Sequence, residues 1–206
     1  MSKRAARGAG LSWGIAEEAG KSARWLATRG LFGPERLADL LVHHDQHPYA
    51  DLAPSDTDDI WKAPAGVLSP LIAGATLSDK ALDIAKGRVI ELAETREPLW
   101  LVPYAAGAVS LTGAAISIAW DDVVMVLSEK GEWIEGHQNA LTVSRTAGVH
   151  CQKGGQFHAP TVMTRAPDNI SPAAWSRLAA FAERTYAPAT DASRLSGAGA
   201  GLTDNN

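Results

Sequence analysis

Glu18 is the residue whose position most invites chemistry. On a helix it shares a face with Leu11, Ile15, Ser22 and Trp25, whereas its neighbour Glu17 stands one turn before Lys21 and makes an ordinary exposed pair. A carboxylate among apolar side chains must be paired, bound to a metal or raised in pKa, and a raised pKa is what general acid–base catalysis uses. The plainer expectation is that Glu18 pairs with an arginine across a helical hairpin. A second set lies near the two ends of the chain. Arg7 is followed by Gly8 and Gly10, and Ser193 with Arg194 is followed by Gly197 and Gly199 in a run reaching Gly201. Glycines let backbone N–H groups turn toward an anion, and an adjacent arginine clamps a carboxylate or phosphate with two parallel bonds. These residues predict a site for a small anionic molecule. Their spacing matches neither the Walker pattern nor the dinucleotide fingerprint, so no cofactor is named, and for the tail an ordinary solvated terminus is the alternative.

Two further groups carry titratable side chains. His43, His44, Asp45 and His47 have metal-ligand chemistry, but His43 and His47 align only if the helix continues to Pro48, whose ring disfavours a helical His47. Histidines that complement the negative pole of a helix end explain them as well. His150 and Cys151 are neighbours on an expected strand and so face opposite ways. With His158 they make no dyad, and Cys151 is expected to be buried and inert.

The elements that must position these groups follow from periodicity. Ala5 to Arg29 reads as one helix in which Gly8, Ser12, Ala16, Gly20, Ala23 and Ala27 form a stripe of small residues, open to close approach by another backbone. Gly30, Gly33 and Pro34 stop it and start a second helix from Glu35 to about His44, laid back on the first as a hairpin. Asp45 to Asp59 is a long irregular loop. Ser69 to Lys86 predicts one or two helices, with Ser78 as a candidate cap. Beyond Arg96 the period shifts toward two, and strands are expected at 99–102, 109–111, 116–120, 123–127, 133–135, 141–145 and 149–152. Glu129-Lys130-Gly131-Glu132 is the strongest hairpin signal. Thr161 to Arg165 offers one more strand. Ser171 caps a final helix, with Pro172 in its first turn and Trp175, Leu178, Ala179, Ala182 and Tyr186 on its buried face.

Composition narrows the classes. The chain has 206 residues, 46% hydrophobic and 20% charged, which suits one globular domain, 1–206, with a real core. A net charge of -4 gives no footprint for nucleic acid. The single cysteine fits a reducing compartment, and the start lacks the apolar run of an export signal, so the cytoplasm is expected. Pro98 to Trp120 carries no charge and meets the length for a membrane span. Its prolines, glycines and hydroxyls favour two strands of a folded core instead.

The opening ARGAGLSWGIAEEAGKSARWL, the central SPLIAGATLSD and the closing YAPATDASRLSGAGAGLTDNN together resemble a proteobacterial family catalogued as domain of unknown function 3726. The resemblance implies a single soluble domain. It implies no activity and supplies no catalytic residues. The expected architecture is α+β: an N-terminal helical hairpin, a central antiparallel sheet, and a C-terminal helix covering one sheet face before a glycine-rich tail. The expected function is a cytoplasmic enzyme of small-molecule metabolism, or an enzyme subunit. It would hold an anion between the first helix and the tail, with Arg7 and Arg194 as clamps and Glu18 as acid or base. The alternative is a noncatalytic assembly or partner-binding protein, with a second copy or another chain on the small-residue stripe.

Overall fold

The computed structural model of the chain describes residues 1–136, 138–155 and 169–186. The expected strand at 161–165, His158 and the glycine-rich tail lie outside the described residues. The expected single opening helix is two: α1 (Ser2–Gly8) and α2 (Trp13–Ala27). The break falls at Gly10, whose φ of 94° belongs to the left-handed region that ends helices. Ser12 then restarts the chain by accepting a hydrogen bond from the Ile15 amide, 3.4 Å away. The small-residue stripe does admit other backbones. A Cβ built on Gly8 would lie 1.7 Å from the Phe181 carbonyl oxygen, and one on Gly20 would lie 3.1 Å from Cβ of Lys3 in α1.

Helix α3 (Gly33–Asp45) lies against α2 as the expected hairpin. Phe32 enters it in the left-handed conformation, Pro34 sits in its first turn, and Leu37, Leu40 and Leu41 are buried. A Cβ on Gly33 would meet the Ala23 carbonyl oxygen at 2.2 Å, so this turn tolerates only glycine. The irregular stretch that follows contains a short α4 (Tyr49–Leu52) and is anchored by Trp61. The Trp61 side chain is buried, and its amide donates to Glu91 O at 2.8 Å. Next come α5 (Pro70–Asp79) and α6 (Ala81–Ala85). Ser69 caps α5, while Ser78, expected to cap the helix carrying Leu82 and Ala85, lies inside α5 and donates back to Gly74 O, and α6 starts after Lys80 with no side-chain cap.

Strands β1 (Ile90–Leu92) and β2 (Thr95–Arg96) precede the uncharged segment. That segment is not two strands. Pro98–Leu101 is a 3-10 turn, α7 (Val102–Thr112) follows, and only then β3 (Ile116–Trp120) begins. Pro103 in the first helical turn and left-handed Gly113 after the last are helix boundary signals, which outweigh the β-branched residues between them. Among the described residues no helix is long and apolar enough to cross a membrane. Strands β4 (Val123–Ser128) and β5 (Gly131–Glu135) form the expected hairpin around Glu129 and Lys130. The expected strand at 141–145 is a 3-10 turn, Gln138–Thr142, followed by a short β6 (Arg145–Thr146) that pairs with β2. With β7 (Val149–Lys153) the main sheet is antiparallel in the order β1-β7-β3-β4-β5.

The sheet is covered by α7, on β3 and β4, and by α6, on β7. The last helix, α8 (Pro172–Glu183), does not cover it. It packs on α1 and α3, because Ala174, Leu178, Phe181 and Ala182 form its buried face while Trp175 and Tyr186 stay exposed. Burying Leu178 and Phe181 contributes about 1.5–3 kcal/mol each. Glu35 of α3 fixes the register, accepting from both the amide and the hydroxyl of Ser171, at 3.0 and 2.6 Å. The result is α+β: helices α1, α2, α3 and α8 at one end, the sheet at the other, and α5 and α7 between them.

Candidate functional site

The residues around the first helix end have local structural roles. Arg7 donates through Nη1 to Leu11 O at 2.9 Å and lies 5.4 Å from the ring centre of Trp13. Gly8 is the α1–α8 crossing and Gly10 the helix break. Ser193, Arg194, Gly197 and Gly199 lie outside the described residues. Arg4 of α1 does reach Tyr186, the last described residue before the tail, donating to its hydroxyl at 2.8 Å. Glu18 is neither enclosed nor paired with an arginine. Its side chain is 44% exposed and bonded to Lys21 at 2.8 Å, and the break at Gly10 takes Leu11 off its face. It lines a cleft between α2, α5 and α7.

A different group of residues converges where α3 meets the β2–β6 ribbon. Arg36 and His43 stand two turns apart on α3 and so share a face. Arg36 donates through Nη1 to Glu97 Oε2 and through Nη2 to Thr142 O at 3.0 Å, tying α3 to the chain on both sides of the ribbon. Glu97 is buried, and burial pushes its carboxyl up from the usual range against the pull of Arg36. Its backbone is in the left-handed region, φ 44° and ψ 61°, although it precedes Pro98 and would ordinarily be extended. Its amide donates to Ser144 O at 2.9 Å. Such strain costs on the order of 1–3 kcal/mol and persists only where the surroundings impose it.

Beside this pair Arg96 and Arg145 are directly opposed across the ribbon, two like charges on one face. Arg145 is bonded to Glu94 at 2.9 Å and Asp39 is engaged by Arg177. Arg96 has only the nearby charge of Glu97, already engaged by Arg36. Among the described residues its side chain makes neither a close ion pair nor a hydrogen bond, and its Nε is shielded from solvent. His43 has a shielded, unpartnered Nε2 as well. Burial lowers its pKa from 6.5 to about 4, helped by the nearby positive charges of Arg96, His47 and Arg145, so at neutral pH the imidazole is uncharged and able to accept a proton. The cluster therefore contains a strained carboxylate, an unpaired guanidinium and a neutral imidazole, each with hydrogen-bonding capacity left over.

His44 and His47 are occupied. His47 Nδ1 bonds to His43 O at 2.8 Å, and the two rings lie 4.4 Å apart. His44 Nε2 and the Ser69 hydroxyl share a hydrogen bond of 2.5 Å. Burial lowers the His44 pKa to about 4, so the ring is neutral, the Ser69 oxygen also accepts from the Leu71 amide, and both side chains are shielded from solvent. Among the described residues no three histidine, cysteine or carboxylate side chains are grouped to hold a metal ion. Cys151 is buried on β7, and burial pushes its thiol up to about 12, while His150 points outward. The sequence hid the Arg96 cluster because β2 is two residues long. The available signal was the spacing of Arg36 and His43 on one helix face and a glutamate placed directly before an apolar run.

Residues 1–69 match the model of a family described as a protein of unknown function, DUF3726. The resemblance seen in the opening sequence thus holds for that part of the chain, which carries α1 to α4 and both Arg36 and His43. Neither the curated proteins nor the solved structures searched contain a match.

Proposed function

We propose that this chain binds a small anionic molecule, a carboxylate or a phosphate, over Arg96 and His43, and that it acts as a cytoplasmic enzyme or enzyme subunit of small-molecule metabolism. The observation that carries the reading is Arg96: a partly enclosed guanidinium opposite a second arginine, with no side-chain hydrogen bond among the described residues and only a carboxylate already engaged by Arg36 nearby. An anion seated there would relieve the like-charge opposition and fill the donors of Arg96. It would also raise the pKa of His43, making the imidazole a better base for a proton on the bound molecule. Arg36 and Glu97 would hold the ribbon in place. The site first expected at Arg7, the tail and Glu18 gives way in this reading because Arg7 is already spent on Leu11 and Trp13. The cellular location rests on one buried, unpaired thiol, as expected of a reducing compartment.

The test is thermal unfolding with inorganic phosphate, malonate and succinate, followed by calorimetry in buffers of different ionisation enthalpy. Binding to the native state must raise the midpoint, and the rise in the His43 pKa must appear as proton uptake. Arg96→Gln should abolish both. No shift with any of these anions, or an undiminished shift in Arg96→Gln, removes the reading.

A noncatalytic role has one observation of its own. Trp13 and Tyr49 are each more than half exposed and line one shallow surface with Ile15, an apolar patch suited to a partner chain or a second copy. Light scattering on the purified chain, with Trp13→Ser as the control, tests it through the oligomeric state.

A further inference from the structure

Tyr186, the last described residue before the tail, stands at one end of a row of side chains that leads to a hollow in the surface. Trp13 and Tyr49, each more than half exposed, line that hollow with Ile15 and Arg7, and its volume is about 630 Å³. Gly10 keeps its floor low, with open space where a Cβ would stand. Two arginines one turn apart on α1 make the row. Arg7 lies 5.4 Å from the ring centre of Trp13, and Arg4 lies 5.5 Å from that of Tyr186 and donates to its hydroxyl at 2.8 Å. From Tyr186 to Trp13 the row is on the order of 15–20 Å long. Near Tyr49 stands Asp79, an exposed carboxylate at the end of α5: partial burial, and then the charge of Asp79, raises the pKa of the phenol.

We propose that this hollow is the seat of the chain's own residues 187–206, with the Leu195 side chain between Trp13 and Tyr49 and the Arg194 guanidinium over Tyr49, paired with Asp79. The patch that would suit a partner chain thus has a nearer occupant. From Tyr186 to Leu195 is nine residues, up to about 30 Å of extended chain, which exceeds the length of the row along α1. Leu195 is the first large apolar side chain after Tyr186, and Arg194 is the one lysine or arginine among residues 187–206. Side by side they match an aromatic hollow with a carboxylate next to it. Arg7, already stacked on Trp13, repels Arg194 from that side and so directs it toward Tyr49 and Asp79. The tether favours the tail over a second copy, because a short linker holds a segment at an effective concentration in the millimolar range. Seated there, the tail shields two aromatic rings and closes the patch to other chains. The seat uses no residue of the Arg96 site and does not depend on it.

Hydroxyl-radical labelling read by mass spectrometry reports each aromatic side chain separately in the full chain. Trp13 and Tyr49 should label roughly threefold or more slowly in the wild type than in Leu195→Ser, as a seat filled most of the time requires. Trp175, exposed on α8, should label alike in both and so confirms the fold. Arg194→Asp should uncover Tyr49, and adding Asp79→Arg should restore its protection, a rescue that mere loosening of the tail does not give. Leu202→Ser should leave the protection in place. The proposal is overturned if Trp13 and Tyr49 label in the wild type as fast as in Leu195→Ser, or if the charge exchange fails to restore Tyr49. It is overturned as well if Leu202→Ser removes the protection and Leu195→Ser does not, or if the protection disappears on tenfold dilution, which would assign the hollow to a second copy.

Discussion

Tyr104→Phe should stabilise this protein, against the usual expectation for trimming a buried tyrosine. The ring packs over Gly74 and is unchanged by the substitution, so the core loses no apolar contact. What is removed is a hydroxyl that is shielded from water and lacks a partner. Leaving such a group unsatisfied costs about 1–3 kcal/mol. Taking the low end, because Ser22 stands close enough to offset part of the cost, the gain is about 1 kcal/mol. For a chain of this size that is a rise in the unfolding midpoint of about 2–4 °C. Urea denaturation should show the same gain as a higher midpoint with an unchanged slope, since the area exposed on unfolding hardly changes. The assay is paired thermal and urea unfolding of wild type and variant. A loss of stability of 1 kcal/mol or more would refute the reasoning, because it would mean that the phenol has a strong partner.

Other expectations follow from the packing and the charges. Gly8→Ala places a methyl group against the Phe181 carbonyl and must push α1 from α8, at a cost of about 1–3 kcal/mol in urea unfolding. Arg36→Ala leaves Glu97 buried without its counter-charge and should cost about 3–5 kcal/mol, less at acid pH where the carboxyl protonates. The pH dependence of stability has a definite sign at His44: its native pKa of about 4 lies below the unfolded value of 6.5, so between those values the unfolded chain binds the extra proton. Stability therefore falls as pH drops through that window, by on the order of 3 kcal/mol from this one side chain. His44→Gln should flatten the profile measured by denaturant unfolding between pH 7 and pH 4.

What the sequence disclosed and what it hid divide along physical lines. Local signals were legible: Pro34 and Pro172 opened helices, Glu129 and Lys130 turned a hairpin, and the small-residue stripe anticipated close backbones at Gly8 and Gly20. Residues 98–112 misled because an uncharged segment that is apolar on most sides has no visible period, so the helix was legible only from its boundary residues Pro103 and Gly113. Glu18 misled for a smaller reason. The glycine at position 10 breaks the helix and takes Leu11 off that face, and the Ile15, Ser22 and Trp25 that remain on α2 leave the carboxylate open to solvent. The Arg96 cluster was out of reach, since it unites side chains from elements far apart in sequence.

The crossing of α1 with α8 also bears on how the chain acquires its structure. Gly8 packs against Phe181, so the seat of the first helix is shared between α2 and a segment synthesised much later. Closing so long a loop adds little to its entropic cost but delays the contact until nearly everything between has been made. During synthesis Ala5 and Ala6 have no α8 to rest on, and α2, α3, α5 and the sheet must assemble without that support. The contact between α1 and α8 thus forms later in synthesis than the contact between α1 and α2, and completes a seat that α2 has already begun.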